Sequence, residues 1–457
     1  MHRSTLIGSA VTRRLPVVSF LPRPPAIPAI EPAHALDLHL ICAIELCERL
    51  AGVMVSSLLV LYLNEGLGLD TGSSAKVASY VNVLSYLAGV LGGVLADRGL
   101  GARRAVLVGV VLLALGYAVL GLGHGAQGGL WVALALVVGG HGLFKPNMAA
   151  LVGALYAPSD PRRARAFSYY YYAVNIGALI GPCVGGLVRT LLGWGASFGV
   201  AAVCLAATAV LLRVGKQQLR AKVAATGFSP QVIAGPAMAE KRERPIPARS
   251  FALVLALAML ALFGAALSHS YGTLLLWARD DARRTLLGHA IPPDFFAALP
   301  AAFVLLLGPV LDRVTKALAA HGHAPSEPGK FTVGMLLCAL AYGLMLAASL
   351  AHPGPSGANP LWLVACKVAL ALGELLGVPV GLALVERLAP LRRKGLTLGL
   401  CYLAHAVGYW LGGEFSALWP RWSHARFFGV LAVGCIISAA LIQSQTQRFA
   451  NALTQKP

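Results

Sequence analysis

Stretches of about 20 predominantly apolar residues, the length that crosses the hydrocarbon core of a bilayer, recur twelve times along this 457-residue chain. They fall near 37–63, 76–96, 104–123, 129–153, 166–188, 195–213, 251–278, 294–311, 331–351, 360–385, 395–418 and 425–443. With 57% of residues hydrophobic and only 12% charged, too little polar surface remains to cover a soluble core of this size. The expectation is an all-α membrane protein of twelve transmembrane helices, because helices satisfy their own backbone groups inside lipid.

The spans divide six and six around one long polar segment, residues 214–250, which is basic and holds Pro230, Pro236, Pro245 and Pro247. The expected organisation is a tail at 1–35, a six-helix bundle at 36–213, the linker at 214–250, a second bundle at 251–443 and a tail at 444–457. The first tail carries prolines and arginines but no uninterrupted apolar core followed by a small-residue cleavage site, so it reads as a tail rather than a signal peptide. If the first tail is cytoplasmic, loops on that side carry 27 lysines and arginines against seven on the other. This asymmetry predicts both termini in the cytoplasm, with an inner (plasma) membrane location. It also accounts for the net charge of +19 through anionic lipid, without calling on nucleic acid. The eight cysteines form no CxxC pair and lie mostly inside spans, which predicts small buried hydrophobes and neither disulfides nor a metal site.

Charge inside the spans points to function. Glu45, Glu48 and Arg49 interrupt the first apolar run, and spacings of three and four put them on one helical face. A lone charge at the bilayer centre costs about 2.5–3.5 kcal/mol on insertion scales, so three on one helix must face a protein interior or a wet cavity. That is the mark of a solute or ion pathway. Span four carries Gly139-Gly-His141-Gly-Leu-Phe144-Lys145-Pro146-Asn147, a lysine followed by a proline that removes a backbone hydrogen bond. Span five carries Tyr169 through Tyr172 and then Asn175 and Gly177, and span ten carries Glu374 ahead of Pro379 and Gly381. Between spans two and three, Gly92-Gly93-Val-Leu-Ala-Asp97-Arg98-Gly-Leu-Gly-Ala-Arg103-Arg104 suits a charge latch that holds one access state.

Taken together, these blocks resemble the proton-dependent oligopeptide transporters, the POT or PTR family of the major facilitator superfamily. The loop of Asp97 looks like the superfamily signature. The family patterns ExxERFxYYG, FKPN, FYxxINxG and E-x-x-x-x-P-x-G are matched by Glu45–Leu50, Phe144–Asn147, Phe167–Gly177 and Glu374–Gly381. The resemblance implies a major facilitator fold of two six-helix halves and a proton-coupled symporter importing di- or tripeptides by alternating access. Glu45, Glu48 and Arg49 would couple protons, and Arg49 would also lie near the substrate carboxylate. Lys145 would pair with that cluster and attract the peptide C-terminus, Asn175 would hydrogen-bond the peptide, and Glu374 would receive its ammonium. Protons serve as the coupling ion, with no other cofactor, metal or obligate protein partner implied.

The chain also departs from these patterns. After Leu50 the family's tyrosines and arginine give way to Ala51-Gly52-Val53-Met54-Val-Ser56, and its span-seven acidic-Gln-Gln-Gly stretch aligns with His269-Ser270-Tyr271-Gly272. In span eight, Leu299-Pro300 stands where the family has Asn-Pro. Because Ser56 and His269 replace two charges expected to meet, they suggest a neutral or histidine-switched outer gate, the other reading being that His269 fills space beside Tyr271. Other readings within reach are a carrier of another small zwitterionic or anionic solute and a transport-inactive peptide sensor. An enzyme is not expected. Gly195-Ala-Ser197-Phe-Gly199 spells the nucleophile-elbow string but opens a membrane span instead of a strand-turn-helix. His141 and His405 are expected to serve as packing or polar helix contacts.

Overall fold

The computed structural model describes residues 32–123, 127–156, 160, 162–214, 247–286, 288–323, 326–355, 357–388 and 394–449. Most of the first tail, most of the linker and the last residues of the second tail lie outside that set, so the expectations for them are not addressed. Helices run α1 Pro32–Leu61, α2 Thr71–Leu95, α3 Ala102–Leu122, α4 Gln127–Ala154, α5 Arg162–Val214, α6 Pro247–Ser268 and α7 Thr273–Asp280. They continue as α8 Leu299–Ala320, α9 Glu327–Ala351, α10 Leu361–Leu388, α11 Lys394–Ser416 and α12 His424–Ser444. A two-stranded hairpin, β1 Thr285–Leu286 with β2 His289–Ala290, sits between α7 and α8 and pairs Thr285 with Ala290.

Among the described residues, ten helical stretches are long and apolar enough to cross a membrane. One of them, at 165–213, is 49 residues long, about twice what a single crossing needs. It reverses at Gly193, whose φ of 85° lies in the left-handed region that favours glycine. So α5 holds the two spans expected at 166–188 and 195–213, and α11 completes twelve crossings. The segment expected as one span at 251–278 breaks into α6, a 3-10 turn at His269–Tyr271 and α7. The carbonyls freed at that break find donors on neighbouring helices. Lys367 of α10 gives its ammonium to the Ser270 carbonyl at 2.6 Å and hydroxyl at 2.9 Å, and Tyr342 of α9 donates to the Ala266 carbonyl.

An apolar core fills the interior, but several charged side chains are buried with it while many large apolar ones face outward. Leu91, Leu122, Leu191, Val203, Leu306 and Leu361 are all well exposed, whereas Glu45, Glu48, Asp294 and Lys367 are fully buried. In the first half α1 packs on α5 and α3 on α4; in the second α9 packs on α10 and α12, and α6 on α11. The halves meet through α2 against α11 and α5 against α8. Within the first half, α2 and α4 touch backbone to backbone: a Cβ added to Gly92 would stand 2.1 Å from the Gly142 carbonyl oxygen. Asn147 reinforces this contact by donating to the Gly92 carbonyl at 3.3 Å. Where helices begin in the loops, short side chains cap them, as with Ser326, Ser423 and Asp70. Hydrogen bonds from Ser73 hold the Asp70 carboxyl below its ordinary range.

Candidate functional site

The charged face of α1 is buried against α5 and α4. Gly177 of α5 permits this, since a Cβ there would come within 2.7 Å of the Arg49 Cβ and 2.5 Å of the Leu46 carbonyl. The glycine that ends the span-five motif is thus a contact surface for the charged helix. With α5 so close, Arg49 lies between two carboxylates, its Nε 3.0 Å from Glu45 Oε1 and 3.2 Å from Glu48 Oε2. Only the first contact has hydrogen-bond geometry. The two acids are sealed from solvent while 23% of the Arg49 side chain stays accessible. One cation therefore serves two buried anions and keeps an open face toward the cavity. The Tyr170 hydroxyl of α5 lies close to Glu45.

His141 of α4 completes the group from the opposite side, with Nδ1 3.2 Å from Glu48 Oε1. This contact was not foreseen: spacing placed His141 one turn before Lys145 on one face of α4 but could not show that α1 lies across from it. Lys145 itself does not pair with the cluster as expected. Among the described residues it forms no ion pair, and its ammonium lies 5.8 Å from the centre of the Tyr86 ring of α2. Arg49 is taken up by the two acids of its own helix and His141 stands beside Glu48, which leaves Lys145 half-buried and available to a ligand.

Glu374 of α10 stands in the other half, half-buried and without an ion-pair partner among the described residues. Tyr86, Tyr171, Tyr271 and Tyr409 lie within its electrostatic range. An unpaired carboxylate and an unpaired ammonium on separate halves, with tyrosines around them, form a site that can hold a small solute of both charges. Asn175 is buried and donates to the Tyr171 carbonyl of its own helix at 2.9 Å. Among the described residues, no cluster of three or more His, Cys, Asp or Glu is arranged to hold a metal.

Two other expectations are corrected. Ser56 and His269 do not meet. His269 turns into the second half, 3.1 Å from the Thr273 hydroxyl and 3.3 Å from Ser416, with Tyr342, Phe415 and Phe427 around its ring. An imidazole with hydroxyl partners and aromatic walls is held by packing on its own half. In the conformation described, the latch residues Asp97, Arg98, Arg103 and Arg104 do not pair with one another. Asp97 forms no ion pair among the described residues, Arg98 and Arg104 are exposed, and Arg103 donates to the Leu212 carbonyl near the end of α5 at 3.1 Å. A helix C-terminus, with its unpaired carbonyls, attracts the guanidinium.

What closes the halves instead is a set of loop-edge charges that composition had counted only as topology signals. Arg189 of α5 lies 2.8 Å from Asp294, just before α8, and 3.3 Å from Glu65 after α1. Arg279 of α7 reaches the same Glu65 at 3.4 Å and Asn64 at 2.5 Å. On the neighbouring face Lys76 of α2 pairs with Glu414 of α11 at 2.8 Å, and Tyr80 also bonds Glu414. Ser197, in the nucleophile-elbow string, is buried inside α5 and donates to the Gly185 carbonyl at 2.9 Å across the helix reversal.

Known proteins resemble this chain along most of its length. The peptide transporter YePEPT of Yersinia enterocolitica subsp. palearctica is 29% identical over 440 residues, covering 82% of this chain and 86% of that protein. Dipeptide and tripeptide permease A of Salmonella typhimurium is 28% identical, covering 83% of each. A crystal structure of the peptide transporter POT in complex with sulfate superposes with a TM-score of 0.82 at 25% identity, over 92% of this chain and 96% of the other. The major facilitator fold expected from the sequence is therefore the fold observed. The profile of the POT family matches residues 103–244 and 239–425, more than half of the sequence, and the chain belongs to the POT family.

Proposed function

We propose that this protein is a proton-coupled symporter that imports di- or tripeptides across the plasma membrane by alternating access. The observation that carries the reading is the division of charge, with Lys145 and Glu374, unpaired among the described residues, on separate halves and Arg49 partly accessible beside its two acids. Arg49 and Lys145 offer positive groups on one half, and Glu374 offers a negative group on the other. A zwitterionic peptide bridges them only when the halves approach, so binding favours one arrangement of the halves over another. The names of the permeases and peptide transporters that resemble the chain support the same substrate class.

Coupling follows from the shared guanidinium. With both carboxylates ionised, Arg49 is held between Glu45 and Glu48; a proton on either weakens that hold and frees the guanidinium for a substrate carboxylate. The charge asymmetry of the loops puts the end where Arg189 meets Asp294 on the outside, so the conformation described is closed toward the outside. Labelled di-alanine uptake into proteoliposomes, with and without an inward proton gradient, tests the reading. Accumulation only with the gradient is expected; binding without uptake would make the chain a sensor, and uptake of other zwitterions alone would move the substrate class.

A further inference from the structure

The space at Gly52 carries an inference that rests on the symport reading and deepens it. Gly52 is one turn beyond Glu48 on α1, at a position where the family pattern quoted above has a tyrosine. A Cβ added there would stand 3.4 Å from Glu48 Oε1, 3.5 Å from His141 Cε1 and 3.8 Å from the Tyr117 hydroxyl. A Cβ alone would fit, but any side chain continuing beyond it would enter the volume that the imidazole fills. The missing side chain on α1 and the histidine on α4 are two sides of one arrangement.

We propose that His141 is a proton-exchanging member of the Glu45, Glu48 and Arg49 cluster, seated in the space left by Gly52, and that it passes a proton to and from Glu48. The two atoms are neighbours, with Nδ1 3.2 Å from Glu48 Oε1 and the pair closed off from solvent, and a small turn of the imidazole brings them into hydrogen-bond alignment. Arg49 occupies the other carboxylate oxygen, Oε2. An imidazolium at position 141 therefore gives Glu48 a second cation on the oxygen that the guanidinium leaves uncovered. In the exchange the Nδ1–H bond breaks and an O–H bond forms on Oε1. Imidazolium and carboxylate become neutral imidazole and carboxylic acid, and Arg49 is left to Glu45. The reverse step restores both charges.

The groups that face this pair set when it happens. From α1 they are Glu45 and Arg49, from α3 the Tyr117 hydroxyl, from α4 Lys145 one turn on, and from α5 Tyr170 on Glu45. Among these, Lys145 and Arg49 oppose a charge on the imidazole and Glu45 favours it. A substrate carboxylate at Lys145 would relieve the repulsion from that lysine, so ligand arrival and protonation of His141 favour each other.

The test uses the full chain in lipid. Infrared titration of the protonated-carboxyl band, comparing wild type with His141→Asn and His141→Gln, requires no transported solute, so it answers even if the chain carries no peptide. A midpoint displaced by about one pH unit in both variants, about tenfold in proton affinity, is expected. Superimposed titrations would overturn the proposal, because a histidine that only fills space leaves the carboxyl titration unmoved. A second arm exchanges the two positions. Gly52→Tyr should lower monodisperse yield by roughly tenfold or more through overpacking, and Gly52→Tyr with His141→Gly should recover the yield while keeping the displaced carboxyl titration of the other His141 variants. A Gly52→Tyr protein that behaves as wild type, or a double variant no better than the single one, would remove the spatial link.

Discussion

The Arg189 guanidinium donates to Asp294 at 2.8 Å across the boundary between the halves, and Asp294 is fully buried. Removing one partner of a buried pair strands the other charge and costs about 3–5 kcal/mol. Arg189→Met should therefore shift the protein away from the closed-end conformation. Asp294→Asn should do so more mildly, and the exchange Arg189→Asp with Asp294→Arg should recover part of the loss. Labelling of a cysteine placed at Ser56 by an impermeant thiol reagent reads the shift. Unchanged labelling in both single variants would show that the pair does not hold the halves together.

Glu48→Gln should abolish proton-driven accumulation while leaving counterflow exchange measurable. The glutamine keeps the shape and loses the titration, so Arg49 keeps only Glu45 as a charged partner. Undiminished accumulation would take Glu48 out of coupling.

Lys145→Ala and Glu374→Ala should each weaken peptide binding by roughly ten- to hundredfold, since a hydrogen bond to a charged group contributes about 1.5–3 kcal/mol. Acetylating the peptide amine should reproduce the loss at Glu374 and add nothing to it, which calorimetry on the variants can read. If capped and free peptides bind the wild type equally, Glu374 does not receive the ammonium.

Reporter fusions after Arg104, Arg163 and Lys394 should report cytoplasm, and a fusion near Arg283 the opposite side, as the loop charges predict. The reversed pattern would turn the Arg189 and Asp294 end inward and with it the direction assigned to the conformation described.

The spans and the charged face of α1 were legible because hydropathy and helical spacing are local properties of the chain. Even the merged α5 keeps two recognisable spans on either side of Gly193. Partners across helices were not legible. Spacing could not show that α1 lies opposite His141, nor that Lys145 leans on Tyr86 instead of the acids. His269 was assigned to a gate because its column in the family pattern holds an acid, but an imidazole among Tyr342, Phe415 and Phe427 is held by packing that no motif encodes. The inter-half network was overlooked for the opposite reason. Arg189 and Arg279 sit at span ends, where a basic residue ordinarily signals only topology.

The backbone contact between Gly92 and Gly142 makes α2 a lever. About 16 residues, roughly 24 Å of helix, separate it from Lys76, where α2 is tied to Glu414 of the other half. With only the Ala88 methyl and the amide of Asn147, two residues beyond Lys145, beside the two glycines, a swing of the outer end turns about a hard bearing. Gly92→Ala would force the bearing apart and let the two ends move out of step, so uptake should fail to follow the proton gradient although Glu45, Glu48, Arg49 and Lys145 all remain in place.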